Sequence, residues 1–481
     1  MKASYALAGL SALGYGLIAY VIPRENFEFF ISVYALLFVL YGYWAQQLHQ
    51  GKIAFDASKY LYLSIAIKAM FLLAVPALSD DFLRYIWDGR LLANGLNPYA
   101  YLPTEVVSQS YLNESLLESL NSPHFYSVYP PVMQLIAAVG GFLFGNNLLA
   151  HLVVFHLIIL LFELGIYKVL IRLLPKLGIA PKVLFLYAFN PLIVIELTGN
   201  LHTEYAMIFF MVLAIDYLFD KKNHWSALAF GGAVLAKLIP LLLLPLFFSY
   251  LRRTDLPWWQ GNNFAEKIKS IPVQLWQVWQ RSIVYGSIVM ATTIIVYLPF
   301  LDIDLLLKIQ RSTTLYFASF EFNASVYYFL RYVVINEYWW IWEYHDSFRD
   351  KEWVEDLLRL DWYAYLRKLL PIVEVFIILS LSFFGKFQAN FKLFLIRILV
   401  LYSLHFLLAA VVHPWYIAPL VLFSVLTNYR FVIVWSALIA LTYSSYQGVK
   451  FQENTLFIVI EYVLVFVYLI TEIVKNRKFQ K

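Results

Sequence analysis

The segment KYLYLSIAIKAMFLLAVPALSDDFLRYIWDGR, residues 59–90, joins a long apolar run to a cluster of charged residues. Roughly twenty mostly apolar residues end at Leu78, which is the length of a membrane-spanning helix, and two neighbouring carboxylates, Asp80 and Asp81, follow at once. Charged side chains near or inside a bilayer cost about 2.5 to 3.5 kcal/mol each at the helix centre, so those that are kept there usually have a function. The acid pair therefore indicates chemistry at the boundary between water and lipid.

The composition places the whole chain in one class. The 481 residues are 62% hydrophobic, 19% aromatic and only 14% charged, and apolar runs of about 17 to 25 residues recur along their length. A soluble protein of this size needs more polar surface, and the runs are too long and continuous for the strands of a barrel. We predict an all-α membrane protein, a polytopic helical bundle of about 12 to 14 transmembrane segments whose outer-face loop carries amphipathic helices.

Positive charges in the connecting segments predict the orientation. Lysines and arginines concentrate at 52–59, 172–182, 221–222, 252–281, 386–392 and 475–481. The positive-inside rule assigns these segments to the cytoplasmic face. Polar clusters at 79–130, 199–204, 301–323 and 413–416 then share the outer face. The net charge of +5 is therefore information about topology, and we expect no nucleic-acid partner.

The acid-rich motif SDDFLRYIWDGR has two interpretations. Ser79 or Asp80 can cap a helix, after which Asp81 and Asp88 fall on one face and Arg84 can pair with either of these two acids. The first interpretation is an amphipathic interfacial helix with a cap and a salt bridge. In the second, one carboxylate takes a proton from an acceptor hydroxyl, the other helps hold a metal or a cation, and Arg84 or Arg90 faces a phosphate.

Other polar motifs of the outer face are weaker signals taken singly. The turn GNLHTE offers His202 and Glu204 for a metal or a phosphate, although polar loops show this spacing by chance. VYPP at 128–131, with Tyr129, starts a helix and forms a wall of any site that the acids serve. In HPWY, 413–416, an aromatic-belt role explains Trp415, whereas His413 needs a separate explanation.

One lysine lies inside an apolar helix. Lys237, in GGAVLAKLIP, has no charged neighbour in sequence. Its amine must reach the interface, pair with an acid such as Glu163 or Glu196, or meet an anionic ligand. Glu321 and Asn323, in FEFNAS, complete the outer-face set, with helix capping as an equally good explanation.

In this order the motifs resemble those of a known superfamily. An acid pair after an early span, WDGR, NPY, YPP, NPLIVIELTGNLHTE, a lysine-proline helix and HPWY follow one another between residues 59 and 420. This order resembles the GT-C integral-membrane glycosyltransferases, and most of all the polyprenol-phosphate-mannose-dependent mannosyltransferases, such as the enzyme that adds the first mannose of GPI anchors and its bacterial relatives.

The resemblance implies roles for single residues. Asp80 or Asp81 matches the first-loop catalytic carboxylate. Of the two, Asp81 is preferred as the base because it shares a helical face with Tyr85 and Asp88. His202 and Glu204 take the place of a second acidic motif, where a histidine stands instead of an acid, so that a divalent metal (Mg or Mn) bound by Asp80, His202 and Glu204 is one option and no cofactor is the other. Lys237 and His413 match positions expected near the donor phosphate.

The implied partners are a lipid-linked sugar donor, membrane lipid and an acceptor that is a glycan, a glycolipid or a protein. The implied location is the bacterial inner membrane with the site on its periplasmic face. Independently of the resemblance, no soluble segment is large enough to bind a nucleotide sugar, so a donor must arrive within the membrane. A transporter or flippase for lipid-linked glycans, which more often shows two related halves, and a glycan polymerase or ligase remain alternatives.

The chain divides into three predicted parts. Residues 1–50 are an N-terminal helical hairpin, residues 51–324 a catalytic membrane module with the outer loop 79–130, and residues 325–481 C-terminal membrane helices with an interfacial insert at 337–362. Two stretches strain the count of crossings. Residues 131–145 are too short to cross alone, and prolines interrupt residues 225–250, so both are expected to be half-helices that border a site.

Overall fold

The computed structural model describes residues 2–109, 112, 114–252, 264–332, 362–384, 390–448 and 451–478. The predicted insert 337–362 lies outside these residues except for its last one, Trp362. Within the described ranges the chain is helical between its loops, and the strand-like pairing there is an isolated parallel bridge between Phe322 and Val411.

The helices follow one another along the chain with short connections. The first part contains α1 (Lys2–Tyr20), α2 (Phe27–His49), α3 (Ala57–Ala69), α4 (Asp81–Ala93), α5 (Pro103–Val106), α6 (Glu114–Glu118), α7 (Pro131–Phe144) and α8 (Leu148–Lys176). The middle contains a 3-10 helix (Pro181–Leu184), α9 (Phe185–Ala188), a π-helix (Ile193–Gly199), α10 (Glu204–Phe219), α11 (Asn223–Ala236), a 3-10 helix (Ile239–Leu243) and α12 (Leu244–Leu251). The last part contains α13 (Phe264–Tyr297), a 3-10 helix (Leu298–Phe300), α14 (Leu305–Ser319), α15 (Trp362–Phe383), α16 (Phe391–Leu408), a 3-10 helix (Pro414–Ile417), α17 (Ala418–Leu426), α18 (Phe431–Leu438), a 3-10 helix (Ile439–Tyr446) and α19 (Thr455–Lys478).

The predicted fold class, an all-α polytopic membrane protein, is confirmed. Five helices of the described chain are long and apolar enough to cross a membrane, at Phe27–His49, Leu148–Lys176, Pro272–Phe300, Phe391–Leu408 and Thr455–Asn476. A pair bent by 58°, Pro181–Ala188 with Ile193–Gly199, can form a sixth crossing. Further apolar helices are shorter than a bilayer requires, so the number of 12 to 14 crossings depends on short and broken helices and stays a prediction.

Two interruptions fall where the sequence indicates them. Helix α11 ends at Ala236, Lys237 has an extended backbone, and the chain resumes as a 3-10 helix that contains Pro240. Proline lacks the amide hydrogen that a continuous helix needs, so the break falls beside it. Helix α7 begins at Pro131 and is only 14 residues long.

Among the described residues, the helices enclose a large continuous apolar core and two small separate clusters. Helix α8 packs on α3, α7 and α10, while α11 lies between α10 and α13. At one end of this bundle Lys176 on α8 forms salt bridges with Asp216 on α10 and with Asp220, the residue after α10, at 2.9 and 2.7 Å. The polar clusters predicted for the outer face meet at the opposite end of α10, which begins at Glu204.

Candidate active site at one end of the helix bundle

The two neighbouring acids at the start of α4 have different partners. Arg24, in the connection between α1 and α2, donates from Nη1 to Asp80 Oδ2 at 3.1 Å, and the Asp80 side chain remains 46% exposed. Asp81 is partly buried and accepts a hydrogen bond from Asn121 Nδ2 at 2.9 Å. Asp80 is the N-cap residue but makes no side-chain cap bond, whereas the hydroxyl of Ser79, the other predicted cap, accepts a hydrogen bond from the Asp81 backbone at 3.4 Å. The Asp80 carboxylate is turned to Arg24 instead.

The surroundings of Asp81 favour its protonated form more than water does. Burial raises the pKa of this carboxyl, and the charges of Glu204 and Asp80 raise it further, while the Asn121 hydrogen bond and the charge of Lys237 act in the opposite direction. A carboxylate with a raised pKa is a stronger base than an ordinary aspartate. General bases of enzymes are tuned in this way.

Lys237 forms an ion pair with Glu204, the first residue of α10. The break after α11 places its amine there, and the amine also lies 4.6 Å from the centroid of the Tyr416 ring. Glu204 is buried, whereas the Lys237 side chain keeps 21% of its exposure. The suggested partners Glu163 and Glu196 are therefore wrong: Glu163 is held by Lys68 at 2.6 Å.

A column of stacked rings joins the GNLHTE turn to HPWY. The rings of His202 and Trp415 lie 3.7 Å apart at 17°, and those of Trp415 and His413 lie 4.4 Å apart at 4°. The ring of Phe322 continues the column 4.9 Å from His413. Burial lowers the pKa of His202 well below its usual value and that of His413 to about 3, with the charge of Lys237 acting the same way. Both imidazoles are neutral at physiological pH, so the cations of this site are Lys237 and Arg24.

Glu196 on the π-helix lies beside His202 of the ring column. Its carboxylate accepts hydrogen bonds from the Tyr443 hydroxyl at 2.7 Å and from Asn200 Nδ2 at 3.2 Å, and His202 Nε2 lies 3.7 Å away. The amide oxygen of Asn200 accepts from the Leu78 backbone, 3.2 Å away, immediately before the acid pair. Asn200 therefore ties the turn to the acid-bearing loop. π-Helical segments occur often at functional sites.

The other predicted residues of the acid motif lie deeper in the protein. Arg84 Nε donates to Asp88 Oδ1 at 2.8 Å, both side chains are at most 3% exposed, and Ser127 Oγ donates to the other Asp88 oxygen at 2.5 Å. Arg90, also buried, donates to the Asn146 carbonyl oxygen at 2.9 Å. These arginines were expected to face a phosphate, but their guanidinium groups are bonded to protein in this structure.

Tyr129 also packs against protein. Its ring lies 4.8 Å from the ring of Tyr85 in an edge contact, and its carbonyl oxygen accepts from the Tyr99 hydroxyl at 2.5 Å. It therefore packs on α4 about one helical turn beyond the acid pair.

The candidate metal ligands do not form a metal site as arranged here. In the described part of the chain, no group of three histidine and carboxylate side chains has a geometry suited to a metal ion. Asp80 and Glu204 each already have a cationic partner. A divalent metal at this site therefore stays a prediction.

Sequence reasoning missed three residues of this site. Arg24 lies in a short loop of the N-terminal hairpin, Asn121 in a polar stretch without a motif, and Tyr443 far along the chain in the 3-10 helix after α18. Of these three residues, only Arg24 could have been found from the sequence, because it is a basic residue in the first connection predicted to be outer. The contacts of the other two depend on how distant segments fold together.

The fold and the site define a polytopic helical membrane protein with a titratable centre at one end of its helices. Residues 18–253, just under half of the chain, match the family described as "Alpha-(1->6)-mannopyranosyltransferase, N-terminal domain". A curated relative, alpha-(1->6)-mannopyranosyltransferase A of Mycobacterium tuberculosis, is 28% identical over 186 residues. That alignment covers 38% of this chain and 35% of the relative, so the chain spans about a third of the relative's length. No solved structure matches the chain.

These comparisons confirm the resemblance to membrane mannosyltransferases that the order of motifs indicated. The family match includes the acid pair, the GNLHTE turn and the lysine-proline helix. It ends before HPWY, whose rings the fold brings back to the same place.

Proposed function

We propose that this protein is a glycosyltransferase that moves mannose from a polyprenyl-phosphate donor to an acceptor hydroxyl at the outer face of the bacterial inner membrane. The observation that carries the proposal is that Asp81, a partly buried carboxylate with a raised pKa, lies within electrostatic range of the Lys237–Glu204 ion pair. The similarity to mannosyltransferases supports the sugar.

Asp81 is the general base of the proposed reaction. Its carboxylate takes the proton of the acceptor hydroxyl while the hydroxyl oxygen forms a bond to the anomeric carbon. The bond between that carbon and the phosphate oxygen breaks, and the lipid phosphate leaves with the electron pair. General base catalysis of this kind contributes about 10² to 10⁴ in rate.

Lys237 stabilises the charge that grows on the leaving phosphate. Its ammonium group is the cation whose charge acts on Asp81, and Glu204 and the Tyr416 ring hold it in place. Such fixed charges act most strongly where water is excluded. The two neutral histidines of the ring column shape the site and exclude water.

The stereochemistry of the donor follows from this reaction. A single displacement inverts the anomeric centre. If the product linkage is alpha, as in the name of the Mycobacterium tuberculosis relative, the mannose must be beta-linked to the lipid phosphate.

The decisive experiment measures transfer of labelled mannose by the purified protein in lipid. Beta- and alpha-linked polyprenyl-phosphate mannose and polyprenyl-phosphate glucose are compared as donors, with a membrane extract as the source of acceptor. We expect transfer from the beta-mannosyl donor, and a loss of about 100-fold or more in Asp81→Asn.

Asp80→Asn and Glu118→Gln serve as matched controls, one the adjacent acid and the other an exposed acid of the same loop. Asp80→Asn is expected to keep much more activity than Asp81→Asn, and Glu118→Gln to keep all of it. Full activity of a folded Asp81→Asn protein would refute the assignment of the base. Binding of the lipid donors without transfer of either sugar would favour the transporter alternative.

A further inference from the structure

A polar concavity that contains neither Lys237 nor Glu204 lies at the outer loop. It is an open groove of about 620 Å³ between the segment 96–109 and α14, and Tyr101, Glu105, Gln109, Tyr126 and Lys308 line it. This volume is in the range of about 300 to 1,000 Å³ that is typical of small-molecule sites. No step of the proposed reaction uses these residues.

The lining has the chemistry that recognises a sugar. Carbohydrates offer hydroxyl groups to carboxylates, carboxamides and ammonium groups, and apolar C–H faces to aromatic rings. The groove supplies all four kinds of partner, with two tyrosine rings, Glu105, Gln109 and Lys308. The ring of Tyr101 is 39% exposed and can receive a ligand face.

The polar groups of the groove are held in position by the protein. Glu105 accepts a hydrogen bond from the Leu102 backbone at 2.8 Å. Lys308 forms a salt bridge with Asp302 at 2.7 Å and lies 5.8 Å from the centroid of the Tyr126 ring. This surface carries one lysine and two carboxylates, Glu105 and Asp302, so it suits an uncharged sugar better than a phosphate. Preorganised groups bind with less loss of entropy.

A short strap, residues 121–126, connects the groove to the proposed base. Its first residue, Asn121, bonds Asp81, and its last, Tyr126, lines the groove. Between them, Arg84 Nη1 donates to the carbonyl oxygens of Ser122 and Phe125 at 3.0 and 2.9 Å. The buried Arg84 thus fixes the strap on α4. A ligand in the groove therefore lies on the same rigid segment that orients Asp81.

The geometry points to this groove as the binding site for the acceptor, an uncharged mannose-containing oligosaccharide whose reacting end extends along the strap toward Asp81. The inference rests on the proposed function for the identity of the sugar. It assigns Tyr101 and Tyr126 as stacking surfaces and Gln109 as a hydrogen-bonding residue for the acceptor. Arg84 acts as a positioning residue.

Saturation-transfer NMR with α-1,6-linked mannotriose as the probe tests the site without any reaction. The wild-type protein in nanodiscs is expected to bind it, whereas Tyr101→Ala and Gln109→Ala, both changes at exposed positions, are expected to weaken binding about fivefold to tenfold. Tyr62→Ala, which removes a 73% exposed tyrosine of α3, is the control and should bind as the wild type does. Asp81→Asn should also keep binding, because it affects the reaction and not the groove.

Kinetics separate the two proposals. If the wild type transfers mannose, the groove variants should raise KM for the acceptor by the same factor and leave KM for the lipid donor unchanged. Unchanged acceptor binding and KM in both variants would overturn the groove assignment while the proposed function stands. Binding that the groove variants weaken, without any transfer by the wild type, would support the groove and count against the proposed function.

Discussion

Asp80 and Asp81 are adjacent in sequence, and their partners decide which of them can act as a base. Arg24 forms a direct ion pair with the exposed Asp80. Asp81 instead accepts one neutral hydrogen bond and has a raised pKa. The helical periodicity favoured Asp81, and the contacts give a physical reason for the same choice.

Replacement of Asn121 by alanine should move the pH dependence of transfer. The amide donates to the charged form of Asp81 and lowers its pKa, so without the amide the pKa rises further. The base must be deprotonated, so activity is lost as the pH falls through this pKa, and the acid limb of the rate profile should move to higher pH. Profiles of kcat/KM for the wild type and Asn121→Ala measure the shift, with Ser119→Ala as the control. An acid limb that stays in place or moves to lower pH would contradict the role of Asp81.

The Lys237–Glu204 pair allows stability and catalysis to be separated. Lys237→Met should lower kcat by about 100-fold or more, but it also leaves Glu204 buried without its charged partner, which destabilises the fold. The double variant Lys237→Met with Glu204→Gln removes both charges and should recover thermal stability. Its kcat should stay low if the ammonium acts on the phosphate. A double variant with wild-type kcat would mean that the pair is only structural.

At the scale of single elements, the packing of α4 against α7 positions the acid pair. The two helices approach closely at Gly89 and Gly141, where a methyl group on Gly89 would occupy the place of the Ala137 carbonyl oxygen. Small residues permit this approach between membrane helices. Helix α4 is therefore held by backbone contact as well as by the Arg84–Asp88 pair.

Gly89→Ala should therefore destabilise the protein although alanine is the better helix former. We expect a loss of about 1 to 3 kcal/mol from overpacking, seen as a lower midpoint of thermal unfolding in detergent. Gly42→Ala in α2 is the matched control, since nothing lies within 4 Å of the added methyl group, and it should leave stability within about 1 kcal/mol of the wild type. Equal midpoints for both variants would show that α4 can move away from α7.

Local signals predict elements of this fold better than pairings between them. Pro240 lacks the amide hydrogen that a continuous helix needs, so the sequence alone predicts a helix break there, and the break is present. The predicted partners of Lys237, Glu163 and Glu196, were wrong, because the true partner depends on where α10 begins relative to the end of α11. The same holds for Asp80, whose bond to Arg24 joins two separate connections. Neither distance is encoded in a local pattern.

At the scale of the whole molecule, the charge pattern grouped four outer clusters, and contacts join them. The turn at 199–204 touches the acid loop through Asn200 and the HPWY segment through His202, and residue 322 pairs with residue 411. Composition and charge were sufficient to predict that the four polar clusters lie at one end of the molecule. The stacking order and the hydrogen bonds could not be predicted, because they depend on the packing of helices far apart in sequence.

The absence of cysteine makes the proposed orientation directly testable. A single cysteine is introduced at Glu118, in the outer loop, or at Lys222, at the opposite end of α10 near Asp220. In intact cells a membrane-impermeant maleimide should label only the first, and the second should react after permeabilisation. The cysteine-free wild type gives the background. Labelling of Lys222→Cys alone in intact cells would reverse the orientation.

The long sequence separation of the site's contacts has a consequence for biosynthesis. Tyr443 bonds Glu196 across 247 residues, and Trp415 stacks on His202. When the ribosome has synthesised Asp81, Lys237 and the turn at 199–204, it has not yet synthesised Trp415 and Tyr443. Because such distant contacts form late, we expect the proposed activity to appear only after the segments that carry Trp415 and Tyr443 have been inserted.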